Sequence, residues 1–160
     1  MESIVQVLES VMAARDPYTV THQQSVAQLS SAIAWEIGLE EKKTRNLMMA
    51  ARLHDFGKIS VPIAILSKPG KLSVHEIAMI KSHPAMGADL LKPLTLPTAT
   101  FMTIMQHHER INGSGYPFGL SGEDILLEAR ILGVADVVEA MSSHRPYRPS
   151  LLGWKKRIKP

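Results

Sequence analysis

VTHQQSVAQLSSAIAWEIG, residues 20–38, is the stretch from which the fold is read. Val26, Leu29, Ile33 and Ile37 recur at steps of three and four, which predicts a helix from Val20 to Ile37 with one apolar stripe and Gly38 as its stop. The same period puts His22 on the inward face. Working outward, a first helix should end near Asp16-Pro17, because the residue before a proline is driven out of the α region. A third helix over Glu41 to Phe56 aligns Leu47, Ala50, Ala51 and His54 before Gly57 breaks it. Between Ser60 and Lys71, Pro62 and Pro69-Gly70 predict an ordered loop. Ser73 and Glu76 have capping-box spacing, so a helix should start there and reach His83-Pro84. Another covers about Pro97 to His107. Residues 112–122 hold Gly113, Gly115, Pro117, Gly119 and Gly122, and predict a shaped loop. The last helix, Glu128 to Met141, is apolar almost all round, which predicts burial on most sides. Period-2 alternation is not sustained anywhere, so the expectation is one all-α domain.

Composition narrows the function classes. The chain has 160 residues, 45% of them hydrophobic and 21% charged, which suits one folded globular core and excludes a disordered chain. A net charge of +3 favours an anionic ligand weakly and does not call for DNA. Without cysteine there are no disulfides and no thiolate metal ligands, so His, Asp and Glu are the strong ligands left, and a reducing cytoplasm fits. Glu2 and Glu9 interrupt the first residues, which do not read as a signal peptide, and no stretch reaches membrane-spanning length.

Five of the seven histidines, His22, His54, His83, His107 and His108, fall at helix ends or on inward faces, joined by Asp55 and Asp136. An unpaired carboxylate in an apolar helix is very costly, so Asp136 needs a cation, and a metal is the compact way to supply one. Any one of these histidines alone would read as a hydrogen-bonded core residue. Together, in a cysteine-free domain, they point to a metal site. His75 and His144 fit no such pattern and read as surface residues.

The order DPYTVTH (Asp16 to His22), LHDFGKI (Leu53 to Ile59), ILSKPGKL (Ile65 to Leu72), HP (His83, Pro84), HHERINGSGYP (His107 to Pro117) and VADVVEAMSSHRPYR (Val134 to Arg148) resembles the HD-GYP family. HHE followed by GYP separates this branch from other His-Asp phosphohydrolases. The resemblance implies an HD-type helical bundle with an ordered GYP loop over residues 1–148, and hydrolysis of cyclic di-GMP to pGpG or GMP. It implies His22, His54, Asp55, His83, His107, His108 and Asp136 as metal ligands, with Asp55 bridging. Imidazole-rich ligation with a few carboxylates suits iron, manganese or zinc, and the resemblance favours iron or manganese over zinc or nickel. Lys58 is expected to hold a phosphate oxygen or assist the leaving group. Arg145 and Arg148 resemble the family's phosphate or guanine contacts, with a free surface charge as the equal alternative. Tyr116 either stacks on a base or packs beneath its loop, and packing is the safer expectation.

The chain departs from the family at several positions. Tyr18 stands where three-metal members carry Glu, so two metal ions are expected. Pro62 is followed by Ile63 rather than Asp, the later Asp near the substrate is replaced by Glu139, and Asn112 stands where Asp is usual. Residues 149–160, a basic tail, no longer resemble the family's further helices. The expectation is a shortened domain whose open face a second copy covers, with Trp154 helping, hence a homodimer. Two other functions stay open: a signalling module docking a diguanylate cyclase domain through the GYP loop, and a hydrolase of a mixed cyclic GMP-AMP or of simpler nucleotides.

Overall fold

Asp16-Pro17 ends one helix and starts the next. The computed structural model describes residues 2–143, and in it helix α1 covers Glu2–Arg15 and α2 covers Pro17–Glu36. The Asp16 carboxylate accepts from the Tyr18 amide at 3.1 Å and from the Thr19 hydroxyl at 2.7 Å, so α2 begins three residues before the expected Val20. Proline is tolerated in a first helical turn, where its missing N–H has no partner to lose.

Helix α3 spans Glu41–Leu53 and is the centre of the bundle, packed on α1, α2, α7 and α8. Leu47, Ala50 and Ala51 are fully buried, and the two alanines let neighbouring helices approach closely. A bidentate pair ties α1 to it: Arg52 donates from Nε to Glu9 Oε1 and from Nη2 to Glu9 Oε2, both at 2.7 Å. Arg15, at the end of α1, donates to the carbonyls of Ile59 and Val61 and so holds the segment that follows α3.

Helix α3 stops at Leu53, earlier than the expected Phe56, and a 3₁₀ turn over Phe56–Ser60 follows. Gly57 is there for closeness rather than as a breaker. A Cβ on it would stand 1.9 Å from the carbonyl oxygen of His83 and 2.5 Å from the amide nitrogen of Gly87. The expected loop after Ser60 contains a short helix, α4 (Ile63–Leu66), before Gly70 turns the chain at φ 97°.

Helix α5 (Val74–Lys81) starts on the expected capping box, with Ser73 and Glu76 each satisfying the other's backbone. A further helix, α6 (His83–Leu91), stands where no helix was expected. Pro84 reads as a stop when the chain is followed forwards, yet here it occupies the first turn of α6. Helix α7 covers Thr98–Gln106 and α8 covers Leu127–Ser142. The inner side of α8 carries the buried Ile131, Leu132 and Ala135, but Val134 is 56% exposed and Val137 and Val138 face outward, so α8 is buried on fewer sides than its composition suggests. Among the described residues there is no strand, only an isolated bridge between Asn112 and Ser121, which fits the expected all-α class. No helix among them is long and apolar enough to cross a membrane.

Gly57→Ala should therefore lower stability by about 3 kcal/mol in denaturant melts, the upper range for overpacking, because both clashing atoms are backbone. The same variant should bind divalent ions more weakly, since the clash pushes His83 off the turn that carries Asp55. Parent-like melting and metal affinity would contradict this close approach.

Candidate metal centre

A helix leaves its last carbonyls without intrahelical partners, and this fold uses those carbonyls to aim histidines. His54 is the residue after α3, and its Nδ1 lies 2.7 Å from the Ala51 carbonyl. His107 is the residue after α7, with Nδ1 2.6 Å from the Ile104 carbonyl. His83 follows the end of α5, with Nδ1 2.7 Å from the Ile80 carbonyl. A carbonyl can only accept, so each Nδ1 carries a proton, and in the neutral ring each Nε2 presents a lone pair.

Those lone pairs converge. His83 Nε2 and His107 Nε2 face each other at 3.4 Å, and two acceptors cannot hydrogen-bond one another. His54 Nε2 is fully buried with no hydrogen-bond partner. Asp55 lies among them with its two oxygens divided: Oδ1 is 3.4 Å from His83 Nε2 and Oδ2 is 3.6 Å from His54 Nε2. On the α8 side, Asp136 Oδ1 is 3.0 Å from His22 Nε2 and 4.0 Å from His54 Nε2. Potential ligand atoms fall within 4.8 Å of one another in three sets: His83, His107 and His108; His54, Asp55 and His107; and His22, His54 and Asp136. His54 and His107 belong to two sets each, so the seven expected side chains form one continuous cluster.

The electrostatics suit a cation. Burial pushes the Asp55 carboxyl up, but Lys58, whose Nζ is 2.7 Å from Oδ2, and the surrounding imidazoles outweigh it and hold Asp55 well below the usual carboxylate range. Asp136 is likewise held low, burial being overcome by the hydrogen bond from His22 and by His54. Burial, reinforced by His108 and His54, pushes His107 well below the ordinary imidazole value; burial with His83 brings His108 down to about 3. His83 is lowered by burial despite Asp55. Neutral imidazoles beside ionised carboxylates are the protonation states that ligate metals. His22 goes the other way: burial is the largest single influence and lowers it, but the hydrogen bonds to Asp136 and Glu139 and the negative charge of Asp55 together outweigh burial and raise it.

The loop beside the centre is organised by a residue that the sequence reading passed over. Glu109 is buried, and its two carboxylate oxygens accept from the amides of Phe118 at 2.7 Å and Leu120 at 3.0 Å. Gly115 lets this loop fold back, since a Cβ there would stand 2.4 Å from Glu109 Cα. Asking what satisfies the amides of a glycine-rich loop would have pointed to the acid of HHE. Tyr116, joined to Pro117 by a cis peptide, stacks on His108 with ring centroids 4.7 Å apart, and Lys81 Nζ lies over the Tyr116 ring, 5.2 Å from its centroid. Tyr116 thus packs against the His108 ring. Glu139, expected near a substrate, turns its carboxylate to His22 Nδ1 and the Ser143 hydroxyl. His75 is exposed, as expected. Arg145, Arg148, His144 and Trp154 lie outside the described residues.

A family model described as HD domain matches residues 6–152 of the chain. The chain is 43% identical over 136 residues to the cyclic di-GMP phosphodiesterase response regulator RpfG of Xanthomonas campestris pv. campestris, an alignment covering 84% of this chain and 36% of that protein. It is 38% identical over 152 residues to the 3'3'-cGAMP-specific phosphodiesterase 3 of Vibrio cholerae serotype O1, covering 94% and 33%. Among solved structures it is similar to Bd1817, a HDG"Y"P protein from Bdellovibrio bacteriovorus, with a TM-score of 0.66 and 31% identity over 76% of this chain and 40% of that one. The chain spans about a third of the length of the curated relatives it matches.

Replacing Glu109 with Ala removes a charged acceptor from two amides, worth about 3–6 kcal/mol together. Hydrogen exchange at Phe118 and Leu120 should accelerate in that variant while helix α3 stays protected. Unchanged exchange at both amides would show that Glu109 does not hold the loop.

Proposed function

Since the chain belongs to the HD-GYP branch of the HD domain family, we propose that it is a metal-dependent phosphodiesterase that hydrolyses a cyclic dinucleotide, cyclic di-GMP first, to pGpG or GMP. The observation that carries the reading is the set of Nε2 lone pairs of His54, His83 and His107, two of them facing each other at 3.4 Å, wrapped around the divided carboxylate of Asp55. That arrangement is repulsive by itself and favourable around cations.

The donors fit two divalent ions. His83, His107 and His108 would hold one, His22, His54 and Asp136 the other, and Asp55 would reach both. Nitrogen-rich ligation with two carboxylates suits iron or manganese, with zinc or nickel as alternatives. When bound, such a pair supplies Lewis acidity towards the phosphoryl group and acidifies water.

The chain's own residues do the rest. His54, His83 and His107 keep their Nε2 atoms aimed inward through the helix-end carbonyls, so no reorganisation is needed when ions enter. Lys58 is the cation nearest to Asp55, and its partly exposed ammonium can turn to a non-bridging phosphate oxygen or give a proton to the leaving ribose oxygen. Tyr116 forms the wall over His108. Arg145 and Arg148 are proposed for the phosphates or guanines of the substrate. Similarity both to a cyclic di-GMP phosphodiesterase and to a cGAMP-specific one supports the class of substrate and leaves the choice of base to experiment.

Protein stripped of metal should be inactive on cyclic di-GMP, with chromatography detecting the linear product only after iron or manganese is restored. Asp55→Asn and His54→Ala should lose metal and turnover together. Lys58→Ala should keep its metal but lose about 10²–10³-fold in kcat. Supplying the mixed guanine-adenine dinucleotide in competition decides between the two substrates. No turnover of either with any divalent ion would end this reading.

A further inference from the structure

The imidazole of His22 lacks the helix-end carbonyl that aims His54, His83 and His107. It sits inside α2, in the second turn of Pro17–Glu36, where the carbonyls behind it belong to the helix's own ladder rather than to a free end. Its Nδ1 must therefore find an acceptor from outside the helix. Helix α8 provides one. Asp136 and Glu139 are three residues apart and share a face of α8, which packs against α2. The ring of His22 lies between them, with Nε2 3.0 Å from Asp136 Oδ1 and Nδ1 hydrogen-bonded to Glu139 Oε2. Glu139 is held in turn by the Ser143 hydroxyl, which donates to its other oxygen at the end of the helix. The side chains of His22 and Glu139 are 8% and 9% exposed, so this bond is made away from water, where it is electrostatically stronger.

We infer that Glu139 is a positioning residue for the metal centre: it holds the His22 Nδ1 proton and so presents Nε2 to the ion that His54 and Asp136 share. The inference rests on the metal-centre reading above and extends it to a residue outside the three ligand sets among the described residues. It also accounts for the chain carrying Glu here. An aspartate on the same helix face is one methylene shorter, while the glutamate reaches the far nitrogen of a ring whose near nitrogen already faces Asp136. A carboxylate behind a ligating imidazole makes the ring a better donor and adds negative charge near the cation.

The test is metal binding by the full chain, read by elemental analysis and by competition for manganese with a chromophoric chelator. Glu139→Ala should weaken one of the two manganese equivalents by about 10–100-fold and leave the other unchanged. Glu139→Gln, whose amide oxygen still accepts, should recover part of that affinity, and Glu139→Asp should not. His22→Ala combined with Glu139→Ala should bind no more weakly than His22→Ala alone, because both act through one ring. Helical circular dichroism of the metal-free variants should match the parent. Parent-like affinity in Glu139→Ala, or additive losses in the double variant, would overturn the role of Glu139. A parent chain that takes up no divalent ion would overturn the metal centre as well.

Discussion

Two imidazole nitrogens with lone pairs pointed at each other across 3.4 Å define the molecule. His83 and His107 cannot relieve the repulsion by changing tautomer, because each Nδ1 proton is already claimed by a carbonyl at the end of a helix. His54 is held the same way and its Nε2 is left without a partner in a fully buried position. The lengths of α3, α5 and α7 thus determine which ring nitrogens reach the centre. Helix ends, usually a cost to be covered by caps, here serve as the first layer of a ligand scaffold.

Close approach is the second condition, and glycine provides it at three points. Gly57 brings the turn after α3 onto the start of α6, so that Asp55 and His83 meet. Gly133 brings α8 against the end of α7, where a Cβ would stand 2.8 Å from the His107 carbonyl. Gly115 folds the loop back onto Glu109. In each case the obstacle is backbone, which cannot swing aside as a flexible side chain would. These glycines connect the packing of the bundle directly to the chemistry, since each lies beside a segment that carries a proposed ligand.

The two halves of the centre are built differently. On one side, His83 and His107 are oriented by main-chain carbonyls and burial lowers their pKa. On the other, His22 in the body of α2 is oriented by the carboxylates of α8, and its pKa is raised rather than lowered. Asp55 joins the halves, with one oxygen towards each and Lys58 balancing its charge. A nitrogen-lined half and a more charged carboxylate half would give two adjacent ions unlike surroundings.

The sequence alone determined the all-α class, the inward positions of His22 and His54, the capping box at Ser73 and the irregular loop at residues 112–122, because period and turn chemistry are local properties. It also determined the family, since the order of short motifs survives without knowledge of packing. It misplaced the end of α3 and passed over α6, because Pro84 stops or starts a helix depending on which neighbours satisfy the backbone around it. The burial of α8 was overstated for a similar reason: composition says how apolar a helix is, while only its neighbours say how many sides are covered. The parts that tertiary structure decided are the pairings across distant segments: Gly57 against His83, Glu109 with the amides of Phe118 and Leu120, Glu139 with His22. A residue's type states what it can donate or accept, but the partner it meets is set by how helices far apart in the chain come together.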